Sequence, residues 1–238
     1  MNTILHIDTS GPEALIGISQ DQNIVTSKQN DISNTHAEFV QAGIDEICKA
    51  TNIRLDHLDA ISVTMGPGSY TGLRVGLASA KGLAFALNKP LIGLSTLSLL
   101  ANAAIRQINE KEETLAKEKK LQIFSMIDAK RMEVFGAIYN SELNYLAPEK
   151  AYILDEVFLL SHLQNGPLLC IGSGVAKTKL LAQHADFQNN APFFLDNSYA
   201  MQDMTELAMK KMRASTFEEL AYSRPAYLKE YYQKPIIK

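Results

Sequence analysis

The stretch Met65-Gly-Pro-Gly-Ser-Tyr-Thr-Gly-Leu-Arg-Val-Gly76 joins an apolar run at residues 60–64 to a longer apolar run at residues 69–87. The first run has the length of a buried strand and the second has the length of a helix. Glycines between them permit positive φ angles and a close approach of another backbone. A strand that turns directly into a helix is typical of α/β proteins, so this stretch predicts the α/β class.

The residues before this stretch predict a meander of three strands and then a helix. Short apolar runs lie at residues 3–7, 14–19 and 24–27, with a polar turn between the last two. Thr35 then opens an amphipathic helix, because it begins a Thr-x-x-Glu pattern typical of a capping box and apolar residues follow at spacings of three and four. With a further short strand at residues 91–93, the predicted order is βββαβαβ.

The second half of the chain repeats this order. Residues 121–128 read Leu-Gln-Ile-Phe-Ser-Met-Ile-Asp and resemble residues 4–8, which read Ile-Leu-His-Ile-Asp. Both predicted first strands therefore end in an acid, Asp8 in the first half and Asp128 in the second. A second strand, a third strand, a helix and a glycine turn at residues 172–174 follow, so the sequence predicts two tandem βββαβα units.

The boundary between the two units is predicted next to a charged segment, residues 110–120, which is mostly Glu and Lys. Such composition is typical of a solvated helix or a linker. We predict an N-terminal unit at residues 1–108 and a smaller C-terminal unit at residues 109–238, whose last helix or tail packs back on the first unit. A cleft between the two units is the expected place for a ligand.

Composition and charge exclude several classes of protein. The chain has 238 residues, of which 46% are hydrophobic and 21% charged, so it is neither disordered, collagen-like nor a disulfide scaffold. A net charge of −3 is far from that of a strongly basic nucleic-acid binder. Residues 210–238 nevertheless hold seven basic and three acidic residues.

The cysteines and the N-terminus indicate a cytoplasmic protein. Cys48 and Cys170 lie far apart in apolar runs, which suits a reducing compartment. The start Met-Asn-Thr-Ile-Leu-His-Ile-Asp lacks the basic region of a signal peptide. The longest uncharged run, between Lys89 and Arg106, is too short to span a bilayer. We therefore expect no membrane association.

The glycine turn and the preceding acid are weak candidates for a cofactor site. Free N–H groups at a helix start attract anions, so Gly66 and Gly68, with Asp8 and Ser10 from the first strand end, are the candidate residues. The spacing fits neither the Walker pattern nor the dinucleotide fingerprint. No two of the five histidines have the spacing of a helical metal site, so no metal ligand and no catalytic residue is predicted.

Small residues recur every four positions along the helix after the glycine turn. Gly72, Gly76, Ala80 and Ala84 form one smooth stripe, on which a second helix or the chain's own sheet can pack closely. Glycine within a helix costs roughly 1 kcal/mol relative to alanine, so we expect something to lie against that stripe. The residues alone leave open which of the two it is.

A series of short segments, in order along nearly the whole chain, resembles the TsaB (YeaZ) family. The series is Ile7-Asp-Thr-Ser10, Thr35-His36-Ala-Glu38, Met65 to Gly76, Ser95-Thr-Leu97, Ile127 to Val134, Gly172-Ser-Gly174 and Arg224-Pro-Ala-Tyr-Leu228. The block from Met65 to Gly76 is the specific part of the match. The resemblance implies a fold of the actin, hexokinase and Hsp70 class (ASKHA), built from two ribonuclease-H-like units.

The resemblance also implies a role in tRNA modification without catalysis. The family serves threonylcarbamoyl transfer to adenosine 37 of tRNA (t6A formation), and it is similar to the catalytic TsaD proteins, which hold a metal through an H-x-x-x-H helix. Here His36 stands where that helix begins, but Val40 follows four residues later. We therefore expect an accessory subunit with no intrinsic cofactor, while ATP or ADP binds to the assembled complex.

The partners implied by the resemblance are a TsaD-like catalytic subunit, bound as a heterodimer, and a TsaE-like ATPase, with tRNA reached through the complex. The expected interface lies on the helices that begin at Thr35 and Ser69. It comprises His36, Glu38, Phe39, Val40, Gly43, Tyr70, Gly72, Arg74, Val75, Gly76, Ser79 and Ala80. An exposed small-residue stripe would also permit a homodimer when the partner is absent.

Two alternatives remain at this point. The acids at the strand ends and the glycine turns also suit a phosphotransferase of the same superfamily that acts on a small metabolite, and a peptidase is a more distant alternative. The basic, aromatic tail at residues 222–238 either contacts tRNA by stacking and phosphate contact or packs back on the body. Of these two, packing on the body is the expectation.

Overall fold

A computed structural model describes residues 1–30, 36–111, 114–188, 190–196 and 198–229. Its strands and α-helices follow in this order: β1 Thr3–Asp8, β2 Ala14–Gln20, β3 Asn23–Asn30, α1 His36–Thr51, β4 Ala60–Gly66, α2 Tyr70–Leu87, β5 Leu91–Ser95, α3 Thr96–Glu110, β6 Gln122–Asp128, β7 Glu133–Tyr139, β8 Tyr145–Ile153, α4 Glu156–Leu163, β9 Leu168–Ile171, α5 Val175–Leu181, β10 Phe193–Leu195 and α6 Met201–Arg213. Thr35 and the capping pattern that it begins lie outside the described residues, as do residues 230–238 of the tail.

The first sheet has the strand order β3-β2-β1-β4-β5, with β1 at its centre. β1 pairs antiparallel with β2 and parallel with β4, and β5 continues the parallel part. Every residue of β1 is buried, because helices cover both faces of the sheet at this strand. This explains why the strand is a nearly continuous apolar run in the sequence.

The second sheet repeats this arrangement with the order β10-β9-β6-β7-β8. β6 takes the place of β1, since it pairs antiparallel with β7 and parallel with β9. The two tandem βββαβα units predicted from the sequence are thus confirmed, and so is the α/β class. β10 adds a parallel strand at the end of the sheet, as β5 does in the first unit.

Two helices connect the units. α3 packs on β4 and β5 of the first sheet and on β6 and β9 of the second, and it ends at Glu110, two residues beyond the predicted boundary, which stays a prediction. α6 packs on the first sheet, where Met201 and Met204 lie against Ile4 and Ile92. The buried Asp203 of α6 pairs with Arg106 of α3 at 2.9 Å.

After α6 the chain returns across the first unit in an irregular segment, residues 214–229, which we call the strap. Its backbone bonds to the edge strand β5 through Glu218 N and Leu91 O at 2.8 Å, and to the end of β4 through Ala226 N and Met65 O at 2.7 Å. Lys229 then pairs with Glu133 of the second unit at 2.6 Å. This part of the tail packs on the body.

None of the helices in the described ranges is both long enough and apolar enough to cross a membrane. Both cysteines are free thiols, with Cys170 fully buried and Cys48 half-buried. Burial raises the pKa of both thiols, so they stay protonated at neutral pH.

Candidate functional site

The carboxylate of Asp8, at the end of β1, is buried and bonded on both oxygens. Its Oδ1 accepts from the backbone N–H of Ser10 at 2.9 Å and from the hydroxyl of Thr64 at 2.6 Å. Its Oδ2 accepts from the hydroxyl of Tyr199 at 2.7 Å. These donors come from the loop after β1, from β4 and from the segment before α6, so three distant parts of the chain converge on one acid.

Tyr199 is the residue that closes this site, and sequence reasoning did not single it out. Burial, and then the neighbouring Asp8, hold the pKa of Tyr199 well above its usual value. The hydroxyl therefore stays protonated and donates a hydrogen bond to Asp8. The hydroxyl of Ser10 lies 2.8 Å from the hydroxyl oxygen of Tyr199 and forms a second hydrogen bond with that tyrosine. A metal ion at Asp8 would have to displace this network.

The glycine turn serves close packing of the loop that follows β1. The backbone N–H of Ser69 donates to the carbonyl of Ser10 at 2.7 Å, and a Cβ at Gly68 would lie 2.4 Å from that carbonyl oxygen. The hydroxyl of Ser69 caps α2 by accepting from Gly72 N. At least part of the donor set predicted for an anion is therefore used within the chain.

Asp128, the equivalent acid of the second unit, lies in a different environment. It is exposed, and its carboxylate pairs with the ammonium group of Lys177, which also donates to the carbonyl of Glu133 at 2.8 Å. The two acids that the repeat predicted are thus both present at strand ends. Asp8 accepts hydrogen bonds from hydroxyl groups, and Asp128 forms an ion pair with a lysine.

A cleft of about 680 Å³ separates the strand ends of the two units, as predicted. It is lined by Asp8, Ser10 and Gly68 of the first unit and by Asp128 of the second, and Glu13 and Asp196 add two further acids. Among the described residues that line it, none is Lys, Arg or His. Phosphate groups bind to cations or free N–H donors, and the described lining offers no side-chain cation.

A metal site is likewise not assembled in the described part of the chain. No three His, Cys, Asp or Glu side chains there come together as a set that holds a metal ion. His36, where the resemblance expects a metal helix to begin, has its Nε2 at 3.3 Å from the carbonyl of Gly11. Val40, one turn later, is fully buried in the core of the first unit.

The small-residue stripe of α2 faces the chain's own sheet, which is one of the two possibilities that the sequence left open, so the expectation that Gly72, Gly76 and Ala80 contact a partner is not met. A Cβ at Gly72 would lie 2.0 Å from the carbonyl oxygen of Thr9, and a Cβ at Gly76 would lie 2.2 Å from the Thr9 hydroxyl. Ala80 and Ala84 are fully buried in the same core. The glycines are required because the end of β1 packs directly on the helix.

The expected interface residues divide into two groups. The buried ones are Val40, Gly43, Gly72, Gly76 and Ala80, and they cannot contact a partner without a change of fold. Those with accessible surface are His36, Glu38, Phe39, Tyr70, Arg74, Val75 and Ser79. Within the second group, Ser79 lines a groove between α1 and α2, whereas Tyr70 and Arg74 lie on the opposite flank of α2, and the role of the group as an interface stays a prediction.

A second stripe of small residues lies on the outer side of α2, two positions out of phase with the first. Ala78, Gly82 and Ala86 are exposed, and a Cβ at Gly82 would meet no atom within 4 Å. Phe85 beside them is 81% exposed. We call these four residues the outer stripe. Gly82 was a usable signal, because an exposed glycine in mid-helix weakens the helix with no gain inside the monomer.

A groove of about 480 Å³ runs between α1 and α2 beside the outer stripe. Ile44 and Cys48 of α1 and Ser79 and Leu83 of α2 line it, and Asp45 and Lys49 form an ion pair within its lining at 2.5 Å. The combination of an apolar groove, small side chains and a projecting aromatic ring suits packing against another helix.

Comparisons with known proteins agree with the resemblance seen in the sequence. Residues 22–167 match the family model described as TsaD, tRNA N6-adenosine threonylcarbamoyltransferase. The tRNA threonylcarbamoyladenosine biosynthesis protein TsaB of Haemophilus influenzae is 32% identical over 133 residues, which are 56% of this chain and 52% of that protein. The protein of the same name from Escherichia coli is 27% identical over 72% of this chain and 71% of its own length. The matched part thus spans about half of the first relative.

The overall fold is similar to a solved structure over almost its whole length. YeaZ from Pseudomonas aeruginosa superposes with a TM-score of 0.74 and 23% identity, and the alignment covers 96% of this chain and 100% of that one. At this level of identity the likeness bears on the fold alone. It confirms the fold that the resemblance implied.

Proposed function

Because this chain belongs to the TsaD family of tRNA N6-adenosine threonylcarbamoyltransferases, among its TsaB (YeaZ) members, we propose that it is a non-catalytic subunit required for threonylcarbamoyl transfer to adenosine 37 of tRNA. The observation that carries the proposal is the hydrogen bonding of Asp8 and the charge of the side chains that line the cleft. Its one buried acid, Asp8, is bonded on both oxygens, and its described lining holds four acids and no cation.

Such a cleft is poorly suited to phosphate chemistry by this chain alone. A phosphoryl or adenylate group would meet the carboxylates of Glu13, Asp128 and Asp196, and the lysines that pair with Asp128 and Asp196 do not line the cleft. This argues against the phosphotransferase alternative. Any ATP or ADP that the complex uses is then bound by the partners, a TsaD-like subunit and a TsaE-like ATPase, in the cytoplasm where tRNA is modified.

The partner surface that we propose is the outer stripe together with the groove between α1 and α2. A TsaD-like subunit would lay a helix along Ala78, Gly82 and Ala86, where no side chain keeps the two helix backbones apart. The exposed ring of Phe85 supplies an apolar anchor at one end. In the absence of the partner, a second copy of the chain would meet the same face.

The test is a threonylcarbamoyl transfer assay with purified TsaD-like and TsaE-like proteins and unmodified tRNA, with and without this chain. We expect product only when the chain is present. Equal product without it would overturn the proposal. ATP turnover by the purified chain alone provides the second measurement, and a rate above that of a Tyr199→Phe, Asp8→Asn variant would favour the phosphotransferase.

The partner surface is tested by Gly82→Arg, which fills open space on the outer stripe and leaves the core unchanged. We expect calorimetric titration with the TsaD-like subunit to show a loss of at least about tenfold in affinity. Gly82→Ala is the matched control, because a methyl group there meets no neighbour and improves the helix. Equal affinity of both variants would show that the partner binds elsewhere.

A further inference from the structure

The flank of α2 that carries the strap is basic and aromatic, in contrast to the acidic body. Residues 220–229 read Leu-Ala-Tyr-Ser-Arg-Pro-Ala-Tyr-Leu-Lys and contain two cations, of which Lys229 pairs with Glu133, and the two acids of the strap, Glu218 and Glu219, precede this segment. α2 itself contains Arg74 and Lys81 and no acid. The chain as a whole has a net charge of −3. We call this surface the basic flank, formed by Tyr70, Arg74, Lys81, Tyr222, Arg224 and Tyr227.

The strap lies along this side of α2 and places its aromatic rings there. Lys81 donates to the carbonyl of Ser223 at 3.2 Å, and two turns nearer the start of the helix Arg74 donates through Nε to the hydroxyl of Tyr227 at 3.0 Å. The rings of Tyr70 and Tyr227 are 5.4 Å apart, and the Arg74 guanidinium lies 4.0 Å from the centre of the Tyr70 ring. These contacts fix an ordered cluster.

The tyrosine side chains of the basic flank remain partly exposed. Tyr70 and Tyr227 are 45% and 46% exposed, and Tyr222 is 74% exposed. Within the described part of the chain, no carboxylate pairs with Arg74 or Arg224. Exposed tyrosine rings beside guanidinium groups that have no carboxylate partner among the described residues combine apolar area with positive charge, so the flank is suited to a ligand that offers flat rings and negative charges together.

We propose that the basic flank binds the unpaired nucleotides of an RNA loop, with bases stacking on Tyr222 and the Tyr70–Tyr227 pair and phosphates meeting Arg74 and Arg224. Unpaired RNA presents both required groups, since its bases expose π-faces and its backbone carries one charge per nucleotide. An acidic peptide would satisfy the cations but not the three rings. The proposal deepens the proposed function, on which the choice of RNA rests.

The flank and the proposed partner surface lie on different sides of α2. At 100° per residue, Tyr70, Arg74 and Lys81 fall on one flank of the helix, whereas Ser79 and Leu83 fall on the other, toward the groove with α1. The outer stripe runs between them. An RNA loop on the basic flank would therefore lie beside a bound partner and would not compete with it.

The experiment is a fluorescence anisotropy titration of a labelled RNA hairpin with an unpaired loop, using the purified full chain at low salt. A fully paired RNA duplex of equal strand length and a glutamate-rich peptide are the comparison ligands. We expect the hairpin to bind more tightly than the duplex, with an affinity that falls as salt rises, and we expect no binding of the peptide. A preference for the peptide or the duplex, or no binding of the hairpin, would overturn the proposal.

Two variants test the residues. Arg224→Glu and Tyr222→Ala lie on the exposed strap outside the described core, and each is expected to weaken hairpin binding about tenfold. The matched controls are Lys119→Glu, on the segment before β6, and Phe193→Ala, on an edge strand of the second sheet, and both should bind as the unchanged chain does. Equal losses in variants and controls would show non-specific charge binding and contradict the assignment.

The outcome can be separated from that of the proposed function. If transfer to tRNA requires this chain but Arg224→Glu changes neither hairpin binding nor the KM for tRNA, only the present inference fails. If the hairpin binds through Tyr222 and Arg224 but transfer proceeds without the chain, the RNA surface stands and the proposed function fails.

Discussion

The buried imidazole of His6 should make the stability of this protein fall as the pH drops below about 6.5. His6 lies at the centre of β1 and is fully buried. Its Nδ1 is 2.6 Å from the hydroxyl of Ser62 and its Nε2 is 2.8 Å from the hydroxyl of Ser19. A neutral ring donates with one nitrogen and accepts with the other, and two serines can complete either arrangement.

Burial lowers the pKa of His6 from 6.5 to about 3, because removal from water disfavours the charged ring. The folded protein therefore keeps the ring neutral where the unfolded chain takes up a proton. Since the unfolded state binds more protons between these two pKa values, stability rises with pH across that window and is lost as the pH falls. At about 1.36 kcal/mol for each pH unit, the loss from pH 7.5 to pH 5 is about 2 kcal/mol.

The assay is urea unfolding at pH 7.5 and pH 5 for the unchanged chain and for His6→Gln. The glutamine amide can still bond to both serines but does not titrate, so the variant should lose about 2 kcal/mol less between the two pH values, whatever its stability at pH 7.5. His57→Gln, on an exposed ring, is the control and should leave the difference unchanged.

The reasoning is refuted if His6→Gln shows the same fall in stability between pH 7.5 and pH 5 as the unchanged chain. Should the variant not fold, NMR titration of the ring protons in the unchanged chain gives the same answer. We expect the His6 resonances to keep their positions over this range. A shift with a midpoint near pH 6 would show that the folded protein admits the charge.

Three further predictions concern the packing of α2 and the hydrogen bond between Tyr199 and Asp8. Gly72→Ala places a methyl group 2.0 Å from the Thr9 carbonyl oxygen and should lower the free energy of unfolding in urea by about 1–3 kcal/mol. An unchanged free energy would show that the loop after β1 moves to accommodate the methyl group. Gly82→Ala, at an open position of the same helix, should stabilise the protein by up to about 1 kcal/mol, and a loss would contradict the open geometry. Tyr199→Phe removes a donor to the buried Asp8 and should cost about 1–3 kcal/mol in thermal or urea unfolding, whereas Tyr222→Phe should not change stability.

The repeat of a strand that ends in an acid was sufficient to predict the fold. Alternating and continuous apolar runs in the sequence indicate where strands and helices lie. Because the same order of elements occurs twice, only a few chain topologies are compatible with it. α3 was not predicted as the element shared by the two sheets. Its sequence has a clear apolar face, and that pattern indicates a buried side but does not show that two different sheets cover it.

The candidate site was predicted only in part, for reasons of geometry. Helical periodicity showed that Gly72 and Gly76 share a face, but it does not say which face meets the sheet, and the phase of the outer stripe was missed for that reason. Tyr199 bonds to Asp8 across 191 residues of chain, a separation that no local pattern reports. The acids themselves were found because each ends a strand.

The position of α6 has a consequence for the order in which the protein can form during its synthesis. The first sheet is complete in sequence at Ser95, yet the face that carries Ile4 and Ile92 is covered by a helix that starts at Met201. A ribosome must therefore add more than a hundred residues while that apolar face remains uncovered. The second unit is made during this interval, so the nascent first unit is the stage at which we expect chaperones to bind and premature termination to cause aggregation.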